Sequence, residues 1–440
     1  MLAFRIDPPS RKMAKPITFG VEFEFALAYL DCPVGATPDP QETRRVQFPP
    51  LTRHGLDPMF NDALTTPPIR IKRDIVQTLI DAGFPAKLED REETGPPKEW
   101  IVKDDESIVR PYHPDFKYDI VEITSPAYWV SESSVKAVEK AWEILNRTYC
   151  LEVNESTGLH CHVGCGTDGL DFGHVKHLVA LLWAFEPQLA SIHPPSRMDN
   201  SYCGSMRDRS TFARKFRQLF ERSPTPEEGV LHFLTLPDKD LLLDEASCHG
   251  KYSAYNLENL NEHCHMSKRT IEFRQHEGSL DPAKVRNWIL TVTGIVDWVR
   301  TAPDDKLEYL FKLSKEETWE KVGDGCDLGR ELEYGPILAE GDFTIVDLLN
   351  FMDLYEPALY YSSRTYKHQP KEADEDDYPL WGSDSSGSDD SIMRLARTTP
   401  PQNLTANNLS EQSLDSNRSS ADSLDSDPGD DEFLLPSLDF

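Results

Sequence analysis

Apolar and polar side chains alternate with a period of two in ITFGVEFEFAL (17–27), EWIVKD (99–104), YDIVEITS (118–125), GLHCHVG (158–164) and RTIEFRQHEG (269–278). Successive side chains on a strand point to opposite faces, so these stretches predict strands of one largely antiparallel sheet with an apolar and a polar side. Helical periodicity appears between them. Asp171 is placed to cap a helix presenting Leu178, Leu182, Phe185 and Leu189, and Asp281-Pro282 opens another presenting Val285, Trp288, Ile289, Val292 and Val296. The predicted class is α+β, with helices packed on one face of the sheet. Pro-rich stretches at about 31–68 and 86–98 read as surface insertions.

From about Lys371 the pattern is lost. Segments such as GSDSSGSDDS and SSADSLDSDPGDDE carry too little apolar surface to offset the entropy of ordering, so 371–440 reads as a disordered acidic Ser/Asp-rich tail. Residues 1–15 read as a flexible segment and 16–370 as the folded domain. Several tail serines precede an acid by three positions, Ser386 and Asp389 among them, a spacing that suits phosphorylation by an acid-directed kinase. The terminal FLLPSLDF offers a short apolar motif to a protein partner, and the plainer alternative is a solvating tail.

Charge narrows the partners. The chain has 76 acidic and 46 basic residues and a net charge of −30, a field that repels nucleic acid and anionic membrane. Neither is expected to bind. No stretch has the length and apolarity of a signal peptide core or a membrane span, so a soluble, cytoplasmic protein is expected. Its 8 cysteines are scattered over 440 residues and are expected to be free thiols.

The polar face has an unusual composition. Alternation puts Glu22 beside Glu24, His160 beside His162, and Glu272 beside Arg274 and His276, with Glu122 on a further strand. Solvent-facing strands ordinarily favour threonine, lysine and serine. Glutamate oxygens with one or two imidazoles instead suit Mg²⁺ or Mn²⁺, and the planar guanidinium of Arg274 suits phosphate oxygens.

GVEFEF, NESTGLHCHVG and TIEFR resemble, in order, the three signature segments of the glutamine synthetase catalytic core. With WIVKDDES, YDIVEITSP, RMDNSYC, YSAYNLENL and TIEFRQHEGSLDP, the pattern resembles the amidoligase family over most of residues 16–300. That resemblance implies a catalytic domain with a glutamine synthetase-like core, which uses ATP and Mg²⁺ or Mn²⁺ to join a small-molecule or peptide carboxylate to an amine through an acyl-phosphate. It implies that Glu22, His160 and Glu272 hold one metal, Glu24 and Glu122 a second, and Arg274 the transferring phosphate. By the same resemblance His162 lies near nucleotide or substrate, and His276 is an acid–base or positioning group. The resemblance also implies that Arg197, Tyr202, Lys251 and Asn256 line the substrate pocket. The sequence shows one clear carboxylate where the second metal site of glutamine synthetases uses more.

Other readings remain open at this point. HCHVGC at 160–165 and HCH at 263–265 contain zinc-ligand residue types, although no CxxC pair or HExxH accompanies them. Gly164, Gly166 and Gly169 spell the G-x-G-x-x-G of a dinucleotide site, or simply a tight turn from strand to helix. A catalytically inactive scaffold on the same fold is the third alternative.

Overall fold

The longest predicted strand is the spine of the sheet. β1 (Thr18–Tyr29) takes antiparallel partners on both sides, and its alternation puts Glu22 and Glu24 on one face and Val21, Phe23 and Phe25 on the other. The computed structural model describes residues 16–30, 43–48, 66–90, 95–198, 200–248, 252–261, 268–320 and 343–366. The sheet runs β2 (Ala86–Leu88), β3 (Trp100–Lys103), β4 (Lys117–Thr124), β1, β7 (Gly158–Gly164), β9 (Thr270–Glu277) and β8 (Tyr255–Asn256). Short strands β5 (Tyr128–Trp129) and β6 (Leu151–Glu152) also pair with β1. Among the described strands β2 and β3 pair in parallel and the other strand pairings are antiparallel, and with the helices they make a mixed α+β fold.

Each predicted strand forms close to its expected limits. The stretch 86–98, expected as a surface insertion, begins instead as β2, which extends the sheet beside β3. It follows α1 (Pro67–Asp81), whose Ile71, Ile75 and Leu79 are buried. α2 (Glu132–Thr148) and the helix Pro282–Thr301 also cover the apolar side: Trp142 stacks on Phe23 at 4.1 Å, and Trp288 meets Phe273 edge-on at 6.2 Å. The Asp281 carboxylate accepts the Ala283 N–H at 2.9 Å and caps the second of these. The helix expected after Asp171 forms as α3 (Phe172–Ala184). It breaks at Phe185, and Pro187 helps restart the chain as Glu186–Ala190, while Leu178, Leu182, Phe185 and Leu189 are all buried as expected.

The pairing of β7 with β9 contains a register shift that reorients the end of β9. Cys161 lies opposite Phe273, but Leu159 lies opposite His276, so two steps on β7 match three on β9. This is a β-bulge at Arg274-Gln275, and it inverts the alternation beyond it. Buried Arg197 lies over the bulge and donates to the carbonyls of Arg274 at 2.8 Å, Gln275 at 3.3 Å and Thr157 at 3.4 Å. Arg197→Met should therefore strand buried acceptors and cost about 3 kcal/mol. A melting temperature equal to wild type would contradict this assignment.

The glycines after β7 form a turn. Gly166 and Gly169 have φ of +61° and +75°, and the Gly166 N–H bonds Thr18 Oγ1 at 3.2 Å. β7 is antiparallel to both neighbours, whereas a dinucleotide motif requires a parallel βαβ unit. Among the described residues no helix is long and apolar enough to cross a membrane. The segment 1–15, the larger part of the 31–68 stretch, Lys251, the HCH at 263–265 and the tail 371–440 lie outside the described residues.

Candidate metal and phosphate site

Strand register, rather than proximity in sequence, assembles the polar face. Glu22 lies opposite His160 and Thr124, Glu24 opposite Glu122, and His162 opposite Glu272. Lys103 lies opposite Glu122, and Asn256 opposite Glu272. Directly opposed residues share a face, so β3, β4, β1, β7, β9 and β8 all deliver polar side chains to one surface.

Two groups of ligand atoms result. One atom each from Glu22, His162 and Glu272 lie within 4.8 Å of one another, as do atoms from Glu24, Asp105 and Glu122. His160 stands between the groups, its Nδ1 3.6 Å from Glu22, 3.4 Å from Glu24 and 3.4 Å from Glu272. The resemblance put His160 with Glu22 and Glu272; in the structure both histidines meet that pair. The second group contains Asp105, which the sequence reading passed over within WIVKDDES. It supplies a further carboxylate beside Glu24 and Glu122.

Neighbouring groups fix these carboxylates. Glu272 accepts from Asn256 Nδ2 at 2.7 Å and from Arg274 Nη1 at 2.5 Å. Glu24 accepts the Gly158 N–H at 2.7 Å, and a Cβ on Gly158 would come within 2.5 Å of His160 Nε2. Glycine is required there by close approach rather than by backbone angle. The Asp105 carboxylate accepts the Ser107 N–H at 2.8 Å, and buried Lys72 holds the adjacent Asp104 at 2.6 Å.

The protonation of the two groups differs. Burial raises the Glu24 carboxyl well above its usual range, and the charges of Glu122 and Asp105 add to that. Burial, reinforced by Glu22, pushes Glu122 up to about 8 despite its pairing with Lys103. In the other group burial would also raise Glu22, but Lys268 and the two histidines outweigh it and hold the carboxyl well below its usual range. Glu272 is lowered too, because His162 and Arg274 overcome its burial. Burial, then the Arg274 charge, brings His160 down to about 4, so its imidazole is neutral at pH 7.

The donor set fits a small divalent cation. His162 Nε2 is buried and makes no hydrogen bond, yet it lies 3.1 Å from Glu22 Oε1 and 3.9 Å from Glu272 Oε1. Carboxylate oxygens and an imidazole nitrogen converging in this way suit Mg²⁺ or Mn²⁺. Cys161 sits in the apolar core beside Val21 and Phe273, so its sulfur is turned away from His160 and His162 and cannot join them on zinc.

The remaining sequence candidates separate. His276 was expected beside Glu272 and Arg274, but the bulge turns it to the apolar side. Its ring lies 5.4 Å from those of Trp288 and His193, and burial brings it down to about 4. His276→Phe should alter stability while leaving any turnover within about twofold, since an aromatic ring still fills the core position. Loss of turnover in a folded variant would return His276 to the site. Arg197, expected at the substrate, is tied up in the bulge. Tyr202 remains at the rim: its carbonyl accepts from Arg274 Nε at 3.4 Å, and its ring meets Tyr252 at 5.6 Å.

A largely antiparallel sheet thus gathers carboxylates, imidazoles and a guanidinium on one face. Residues 15–296 match the family described as "Putative amidoligase enzyme", and the chain belongs to that family. The matched region includes every strand of the polar face, and the family description denotes a ligase. No curated protein matches the chain.

Proposed function

We propose that this protein is an ATP-dependent carboxylate–amine ligase acting through an acyl-phosphate, on a core like that of glutamine synthetase. The observation that carries the reading is the meeting of Glu22, His162 and Glu272, of Glu24, Asp105 and Glu122, and of Arg274 on one buried face. A lone acidic patch would not require a guanidinium and imidazoles inside it. Divalent cations held by these groups would supply the positive charge that lets polyphosphate approach five carboxylates.

The chain's own residues then have distinct roles. Asn256 and Arg274 fix the two oxygens of Glu272, and Arg274 presents its remaining N–H groups to phosphate oxygens at the rim beside Tyr202. A substrate carboxylate oxygen attacks the terminal phosphorus of ATP; the new O–P bond forms as the bond to ADP breaks. An amine nitrogen then attacks the carbonyl carbon, and the C–O bond to phosphate breaks as the C–N bond forms and the amine loses its proton. Positioning and charge stabilisation provide the catalysis.

Binding can be tested without knowing the substrates. The full chain with Mn²⁺ should bind ATP, and Arg274→Ala should weaken that binding by about tenfold through the lost charge-assisted bonds to phosphate. No ATP binding by the wild-type protein in Mn²⁺ or Mg²⁺ would sink the proposal.

A further inference from the structure

Each acidic group also carries a lysine ammonium that the proposed reaction does not use. Lys268 Nζ lies 3.0 Å from Glu22 Oε1, and Lys103 Nζ lies 2.8 Å from Glu122 Oε1. These are not ordinary surface pairs, because the side chains of Glu22 and Glu122 are only 8% and 7% exposed. The Lys268 ammonium approaches an oxygen that faces another ligand, and the Lys103 ammonium shares Glu122 Oε1 with the Thr124 hydroxyl, which donates to it at 3.2 Å. Glu22 Oε1, the partner of Lys268, is also the oxygen 3.1 Å from the unbonded His162 Nε2. Glu122 belongs to the group with Glu24 and Asp105.

Charge balance gives the lysines their purpose. The carboxyl groups of Glu22, Glu24, Asp105, Glu122 and Glu272 meet the cations Arg274, Lys103 and Lys268 on this face; Lys268 helps hold Glu22 below its usual range, and Lys103 opposes the burial that raises Glu122. Buried carboxylates this close destabilise the fold unless positive charge accompanies them. Arg274 is committed to Glu272. A lysine is a single charge on a flexible stem and can withdraw from its partner without leaving a rigid fork behind. A divalent cation drawn to His162, Glu22 and Glu272 needs the oxygen that Lys268 covers.

We infer that Lys268 and Lys103 are internal counter-ions, each occupying a carboxylate oxygen in the metal-free protein and yielding it to a divalent cation. The inference rests on the proposed metal–nucleotide reading of this face. Removing either lysine has opposite consequences in the two states. The metal-free protein loses a neutralising charge and melts lower, while the cation loses a competitor and binds more tightly.

The test is Mn²⁺ binding to the full chain without nucleotide, followed by electron paramagnetic resonance, together with thermal melts with and without Mn²⁺. Lys268→Met and Lys103→Met should each bind Mn²⁺ about tenfold tighter than wild type, because one nearby positive charge is gone. Lys268→Arg should stay near wild type. The methionine variants should melt lower without metal and recover more than wild type when Mn²⁺ is added. If a methionine variant fails to fold, the corresponding Lys→Gln variant carries the same comparison. Wild-type binding with equal or weaker binding by the neutral variants overturns the counter-ion role alone. A wild-type protein that binds no Mn²⁺ overturns both this role and the metal–nucleotide reading.

Discussion

Glu272→Ala should reduce ATP turnover by about a thousandfold or more, because it removes the carboxylate on which three site groups converge. Arg274 and Asn256 bond its two oxygens, and the buried His162 Nε2 lies 3.9 Å from one of them. The alanine variant frees Arg274 to turn toward Glu24 or Glu22 and should weaken both the proposed cation binding and the proposed phosphate contact. Glu272→Gln separates charge from shape: it keeps the side-chain length and an oxygen for Asn256 but has no negative charge. Its turnover should fall nearly as far as that of the alanine variant. Steady-state ADP release, with melting temperature recorded for each variant, checks both. A glutamine variant with wild-type turnover would mean that Glu272 acts only as a packing and hydrogen-bonding group.

Arg274→Lys should lower turnover by about a hundredfold although the charge is retained. The guanidinium bonds Glu272 with Nη1 and the Tyr202 carbonyl with Nε, and its plane is set by both. An ammonium can satisfy Glu272 but cannot hold that contact and a bidentate phosphate contact in one plane. The loss should appear chiefly in kcat if the contact tightens in the transition state, with KM for ATP changing less. Arg274→Ala should fall further than the lysine variant. Equal activity of lysine and arginine would leave Arg274 as a point charge only.

Much of this site is legible in the sequence because it lies on strands. Period-two alternation alone puts Glu22 with Glu24, and His160 with His162, and the structure keeps both pairs on the polar face. Which strands are neighbours is not legible in the same way. Pairing of Glu24 with Glu122, and of His162 with Glu272, depends on long-range register that no local pattern encodes.

Asp105 was within reach, since it follows directly from the alternating EWIVKD stretch, but it stands on a turn where period two no longer applies. Lys103 is the polar partner of Ile101 on β3, and only its register with Glu122 gives it meaning. His276 shows the reverse case. Strict alternation assigns it to the face of Glu272 and Arg274, and a single bulge held by Arg197 moves it to the core beside Trp288. The residue filling that structural role, Arg197, lies far away in sequence, so nothing local to β9 announces the inversion.

The most direct test of the ligase account is ATP turnover by the full chain with Mg²⁺ or Mn²⁺ against pooled carboxylates and amines, the carboxylates carrying ¹⁸O. The account predicts ADP formation that depends on both pools, a condensation product in the mass spectrum, and ¹⁸O in the released phosphate, all lost in Glu272→Ala. ADP and a condensation product without ¹⁸O in the phosphate would contradict the acyl-phosphate route, and ATP that is neither bound nor consumed would contradict the ligase reading itself.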